Sequence, residues 1–242
     1  VPDFPKDKRP DYEPDWSQRP AGMAAHSGAA PFIMLADGRA EIFAPSGLQD
    51  GPLPAHAEPL ESPADNPLNP DHPSSPAAKR WEQTDNRQAG PGTPRYPHAL
   101  TTFRLTEHHS GGTPTRIVPT TAELQPEMFA EIPTELGREL GIRSGDWVVI
   151  ATPRGEVEAR AMVTDRLRPF RVPAGGGTRV VHQIGLPWHY GWAGLATRDV
   201  ANVLTAVVGD PNTGMHENKA LACNLRRGRL FRTNPPRMEG PS

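Results

Sequence analysis

The chain has 242 residues, with 26 Lys and Arg against 28 Asp and Glu, 23 glycines, 30 prolines and one cysteine, a length that allows one large or two small domains. Nearly balanced charge with no basic block removes the electrostatic term that dominates nucleic-acid binding, so DNA or RNA as the main partner is excluded. No stretch approaches the roughly 18 apolar residues of a membrane-spanning helix, and the single thiol, Cys223, excludes an internal disulfide, a cysteine zinc cluster and an iron–sulfur ligand set.

The first residue is Val1 rather than Met, and the opening has neither a basic start nor an apolar signal core, so it reads as the continuation of something longer. Of the 30 prolines, 18 fall within residues 1–100. Proline fixes φ and removes a backbone donor, which disfavours long helices and central strands there. Residues 1–98 are therefore predicted to be an extended, mostly irregular wrap. Within it, apolar residues 31–34 and 41–43 flank Ala36, Asp37 and Gly38 as a hairpin. Leu48, Leu53, Leu60, Leu68 and Trp81 are expected to anchor the wrap on another protein surface, a flexible linker being the alternative.

From residue 99 the pattern changes to short strands and tight turns. Residues 100–106 are rich in β-branched and aromatic types and form a predicted strand that runs into a loop of Glu107, His108, His109, Ser110, Gly111 and Gly112. Residues 129–132 are a second strand, and Thr134 is the expected N-cap of a two-turn helix that stops at Gly141. Residues 147–152 and 156–164 form an antiparallel hairpin. In its second strand Val157, Ala159, Ala161 and Val163 alternate with Glu156, Glu158 and Arg160 as a buried and a wet face. Gly175, Gly176 and Gly177 separate this unit from a strand over residues 179–186. One or two helical turns follow at 199–205, and a last strand at 219–225 holds Cys223 as a buried, inert thiol. These elements imply a mainly β fold, a closed six-stranded barrel over residues 99–230, with 231–242 as a tail.

No self-contained catalytic motif occurs: there is no nucleophile elbow, zinc-protease helix, P-loop or dinucleotide glycine fingerprint. No three of the histidines His26, His56, His72, His98, His108, His109, His182, His189 and His216 share a metal-ligand spacing. The candidate chemistry lies at strand ends. In residues 106–112, glycines let backbone N–H groups approach an anion and hydroxyls add donors, which suits a pyrophosphate, an ordinary polar turn being the alternative. Residues 187–192 gather Trp188, His189, Tyr190 and Trp192, faces suited to a flat heterocycle or to a structural aromatic cluster. Asn202 offers donor and acceptor edges for a pterin or purine, and Lys219 offers a point charge for phosphate; a helix cap and a solvated charge are the plainer roles.

Several segments recur in a recognisable order: Thr106, Glu107, His108 and His109; Leu136 through Gly141 and Ile142 to Gly145, Asp146, Trp147 and Val148; residues 187–192; Asn202, Val203, Leu204 and Thr205; residues 210–214; and Lys219. In this order the chain resembles the C-terminal cofactor-binding domain of the molybdopterin oxidoreductases. Residues 31–68, 124–132, 187–192 and 209–214 are similar to the catalytic (alpha) subunit of respiratory formate dehydrogenases. His109 stands where the loop of that family has Trp, and Asn218 where its segment before the last strand has Tyr.

The resemblance implies a six-stranded double-psi β-barrel that closes over a bis-molybdopterin guanine dinucleotide carrying Mo or W, used for two-electron oxidation of formate to CO2 or the reverse. It implies that Thr102, Arg104, Leu105, Thr106, Glu107, His108, His109, Ser110 and Gly111 run along one dinucleotide. Trp188 and His189 would line the cofactor, and Asn202, Asn218 and Lys219 would hold pterin or phosphate groups. The catalytic selenocysteine or cysteine, its His and Arg, and a [4Fe–4S] cluster are expected on a larger N-terminal catalytic piece. The other implied partners are an iron–sulfur electron-transfer subunit and a membrane cytochrome b subunit. A periplasmic, membrane-associated complex is the expected location, with the cytoplasm as the alternative. A nitrate or polysulfide reductase, and a structural inter-subunit strap without cofactor contact, are the alternative functions.

Overall fold

The computed structural model describes residues 47–51, 56–66, 68–72, 74–90, 93–174 and 176–231. The hairpin expected over residues 31–43, the anchor Leu53 and the tail from residue 232 lie outside the described residues. In chain order the elements are β1 (Lys79–Arg80), β2 (His98–Phe103), α1 (Pro119–Leu124), β3 (Phe129–Pro133), α2 (Thr134–Glu139), β4 (Trp147–Ala151), β5 (Glu156–Thr164), β6 (Phe170–Ala174), β7 (Gly177–Val181), β8 (Gln183–Pro187), a 3-10 turn (Ala201–Leu204), β9 (Val208–Gly209) and β10 (Leu221–Arg227). No described helix is long and apolar enough to cross a membrane.

Six of the strands close into a barrel in the order β10-β2-β8-β3-β5-β4. The pairs β2·β8 and β3·β5 are parallel and the others antiparallel. Closure removes the free edges that an open sheet would expose. Inward residues of every strand, among them Leu100, Ile132, Val148, Ile150, Val157, Ala159, Ile184, Leu186, Leu221 and Cys223, form one apolar core. The predicted hairpin is present, with Trp147 opposite Arg160 and Ala151 opposite Glu156. Register also defines one end of the barrel. β2 and β8 finish together, Phe103 opposite Pro187. β10 starts beside them, Leu221 opposite Leu100, and the β4–β5 turn closes the same end because Ala151 lies opposite Asn224. This end is called the rim below.

Several expectations are corrected. The first barrel strand stops at Phe103 rather than at residue 106, where the Phe103 carbonyl accepts the Trp188 N–H at 3.0 Å and the chain leaves the sheet. Thr134 is the first helical residue and not the cap; the strand β3 passes into the helix through Pro133 with no side-chain cap, and Glu135 and Arg138 suit the two helix poles instead. Residues 179–186 are two strands. β7 pairs with the unanticipated β6 in a separate ribbon, whereas β8 joins the barrel, and His182 lies at the break. The last strand runs over 221–227 rather than 219–225, its first half paired with β2 and its second with β4. Glu158 is buried rather than wet, its carboxylate accepting from Arg229 Nη2 at 2.9 Å and the Leu230 N–H at 3.2 Å. The helical turns expected at 199–205 shrink to one 3-10 turn, and α1, begun by Pro119, was unforeseen.

The segment before the barrel is fastened by polar groups. Leu68 is 79 % exposed and Trp81 40 %, so these two expected anchors are not buried in this chain. Instead, the buried Glu61 carboxylate pairs in a fork with Arg154 of the β4–β5 turn, at 2.7 and 2.8 Å. It also accepts the N–H groups of Ala89 (2.9 Å) and Ala222 (3.1 Å). Arg154 donates further to the carbonyls of Leu204 and Arg87. Asn86 pairs through both edges of its amide with the backbone of Val207. A buried pair with every lone pair matched holds its partners in one geometry, and loss of one member leaves a desolvated charge.

Two predictions follow from these contacts. Glu61→Ala lowers unfolding stability by about 3–5 kcal/mol, read from the denaturant midpoint, and an unchanged midpoint would show that the segment is not fastened there. His98, beside His182 with ring centroids 6.0 Å apart, is held down to about 4, chiefly by burial and then by the charge of His182. Its native form is therefore neutral where the unfolded chain is protonated, so stability is complete above the ordinary histidine range and declines as pH falls through it towards 4. Chemical denaturation from pH 7.5 to 4.5 reads this slope, which His98→Gln flattens.

Candidate functional site

The rim is built where β2 and β8 end side by side. Beyond β2, residues 104–112 turn over the barrel mouth, and His189, two residues beyond β8, sits under them fully buried. Its Nδ1–H donates to the Ser110 carbonyl at 2.5 Å, and its Nε2 accepts the Leu105 N–H at 2.7 Å. The two bonds fix the tautomer and clamp both sides of the loop. Burial, first, and the neighbouring His108 lower the pKa of His189 against the opposing effect of the Ser110 bond, so the ring stays an acceptor towards Leu105.

His108 turns inward beneath the same loop. Its Nε2–H donates to the Gln125 carbonyl at 3.0 Å, and its ring lies 5.9 Å from that of His189 and 5.7 Å, edge-on, from that of Tyr190. Tyr190 donates its hydroxyl to the same carbonyl, and burial pushes its phenol well up. Above this layer Arg104, Thr106, His109, Ser110 and Gly111 are exposed and Glu107 is half-buried. Ser110 has φ 48°, a left-handed conformation that a side chain disfavours. At Gly112 a Cβ would stand 1.9 Å from the His189 carbonyl oxygen, so only glycine fits.

A second group lies beside the first. The buried Thr102 hydroxyl donates to the Asn218 carbonyl at 2.8 Å, and Lys219 Nζ donates to the Thr102 carbonyl at 2.6 Å. Burial and then the charge of Arg104 hold the Lys219 ammonium below its usual range. Among the described residues neither Arg104 nor Lys219 has a carboxylate ion-pair partner. Trp188 and Leu105 pack half-buried against the apolar core. Asn202 sits apart on the 3-10 turn next to Gly155, where its side chain is exposed and its carbonyl accepts from Thr205. The structure therefore gathers the loop, His108 and His189 into one unit, and Thr102, Asn218 and Lys219 into another. Asn202 stands at a third position on the same end of the barrel.

Arg116 was missed. Its buried guanidinium donates to the carbonyls of Gly111, His189 and Ala193 at 2.7–3.0 Å. No local pattern marks it, since two of its acceptors lie 73 and 77 residues away.

Chemically the rim offers cations without acidic partners among the described residues, exposed hydroxyls and glycine backbone, a donor set that fits a phosphate-bearing anion. Cys223 is fully buried and burial pushes its thiol up, away from nucleophilic use. Among the described residues no group of three His, Cys, Asp or Glu is placed to hold a metal ion.

The family model described as "Molydopterin dinucleotide binding domain" matches residues 99–222. The "Formate dehydrogenase 2 subunit alpha (cytochrome c-553)" of Nitratidesulfovibrio vulgaris is 42 % identical over 205 residues, 83 % of this chain and 19 % of its own. The "Formate dehydrogenase subunit alpha" of Megalodesulfovibrio gigas is 39 % identical over 206 residues, 83 % of this chain and 19 % of its own. The "Formate dehydrogenase-O major subunit" of Escherichia coli K12 is 39 % identical over 216 residues, 88 % of this chain and 20 % of its own. The chain thus spans about a fifth of the length of these curated relatives.

Proposed function

We propose, from the premise that this chain belongs to the molybdopterin dinucleotide-binding domain family, that it is the cofactor-holding part of a formate dehydrogenase catalytic subunit. The observation that carries this reading is the rim: a polar loop clamped from beneath by His189, next to two cations, Arg104 and Lys219, that no carboxylate among the described residues pairs with. The identity to formate dehydrogenase alpha subunits over most of the chain supports the choice of reaction.

On this reading the bis-molybdopterin guanine dinucleotide, with Mo or W, supplies the two-electron redox chemistry by which formate becomes CO2. The chain's own residues do the binding. Lys219 and Arg104 would balance phosphate charge, and the exposed Thr106, His109, Ser110 and Gly111 would offer donors along the ligand. Asn202 and Asn218 would present amide edges. His189, with both ring nitrogens used by the loop, would orient these groups rather than touch the ligand. The apolar core beneath the rim would exclude water from one side of the site.

The reacting groups would come from a larger piece of the same catalytic subunit, carrying selenocysteine or cysteine and a [4Fe–4S] cluster. Electrons would pass to an iron–sulfur subunit and onward to a membrane cytochrome b subunit, in a periplasmic, membrane-associated complex serving anaerobic respiration.

The test is to purify the chain with its partners and assay metal and, after acid release, GMP. Both are expected in the wild-type complex. Lys219→Ala is expected to reduce retained GMP several-fold, and Asn202→Ala to do so less. A complex with formate dehydrogenase activity whose cofactor content is unchanged in both variants would overturn the assignment of these residues, and a complex without GMP would overturn the function.

A further inference from the structure

Arg116 is where the two segments of the rim converge. The side chain, on a residue only 7 % exposed, donates from Nε to the Ala193 carbonyl at 3.0 Å and from Nη1 to the carbonyls of Gly111 (2.7 Å) and His189 (2.8 Å). Its backbone N–H donates to the Gly112 carbonyl at 2.7 Å, and its own carbonyl accepts the Leu195 N–H at 2.8 Å. Three glycines make room for it. A Cβ at Gly112 would collide with the His189 carbonyl, one at Gly191 would stand 3.0 Å from Arg116 Nη2, and one at Gly194 2.9 Å from Arg116 Cβ. Gly112 and Gly194 also have φ of +81° and +110°.

Among the described residues no ion pair engages this guanidinium. Its acceptors are all neutral carbonyls drawn from two segments. A guanidinium presents its donors in a rigid planar fork, so it can join three carbonyls whose directions are set by two different loops. An ammonium carries the same charge without the fork.

We infer that Arg116 is a positioning residue that sets the conformation of the 104–112 loop and, through it, retention of the ligand at the rim; the second half of this statement rests on the dinucleotide reading, and the first does not. The link is continuous. Arg116 holds the Gly111 and His189 carbonyls, and the His189 ring holds Ser110 and Leu105. Removing the fork frees three carbonyls, that of the buried His189 among them, and loosens the segment that carries the imidazole, so both clamping bonds of the loop weaken together.

The experiment compares Arg116→Lys, Arg116→Gln and Gly191→Ala in the purified complex. It reads hydrogen exchange by mass spectrometry in peptides covering 104–112 and β4, together with GMP retained after gel filtration. Gly191→Ala presses a methyl on Nη2 without removing the charge, and serves where a replaced arginine prevents folding. The expected result is a rise of about tenfold or more in loop exchange for Arg116→Gln and Arg116→Lys, a smaller rise for Gly191→Ala, no change in β4, and faster loss of GMP. Wild-type loop exchange in Arg116→Lys would overturn the inference, because charge alone would then suffice. Exchange raised equally in β4 and the loop in all three variants would overturn it too, assigning Arg116 to general stability. Raised loop exchange with unchanged GMP retention would leave the positioning role standing and overturn the dinucleotide reading of this loop.

Discussion

The 104–112 loop of the rim depends on one imidazole held between two backbone groups. With Nδ1–H on the Ser110 carbonyl and Nε2 on the Leu105 N–H, the His189 ring closes the 104–112 loop like a cross-brace. The brace is available because β2 and β8 are parallel neighbours that end in register, Phe103 opposite Pro187, which delivers the loop and His189 to the same place. A loop ordered by the protein itself does not lose that conformational freedom again when a ligand arrives, so more of the contact energy appears as affinity.

Behind the brace lies a second constraint. Glu61 joins the preceding segment to the β4–β5 turn through Arg154 and to β10 through the Ala222 N–H. Ala222 lies three residues beyond Lys219, and Lys219 is itself tied to Thr102. Contacts thus run from this early segment to the strand that follows the rim cation. The irregular, proline-rich segment is tied to the barrel through polar fasteners such as the buried Glu61, while Leu68 and Trp81, expected to dock on another protein surface, are exposed in this chain.

How much was legible follows from the range of the interactions. The β4–β5 hairpin and the β5 alternation are local patterns of period two, and they were readable residue by residue, except at Glu158, whose cover comes from Arg229. The six-stranded barrel was legible from short strands and ordered motifs. The division of residues 179–186 was not, because a continuous β-prone run carries no sign that half of it pairs in a ribbon and half in a barrel. Glu61 and Arg154 are 93 residues apart, and Arg116 finds acceptors 73 and 77 residues away, so neither pairing leaves a local trace. His108 and His109 of the loop and His189 beyond β8 are candidates from the sequence. What the sequence left open was direction: His108 and His189 face inward as an aromatic layer, and the exposed polar atoms belong to their neighbours.

The account stands on the claim that the rim, preformed by His189, is the face that holds a molybdopterin dinucleotide. An experimental structure of the loaded complex tests this most directly. It should show the dinucleotide phosphates against the exposed side of residues 104–111 and near Arg104 and Lys219, with the His189 ring still bridging Leu105 and Ser110. A dinucleotide bound at the opposite end of the barrel, or a loop that has abandoned the His189 bridge on binding, would contradict it.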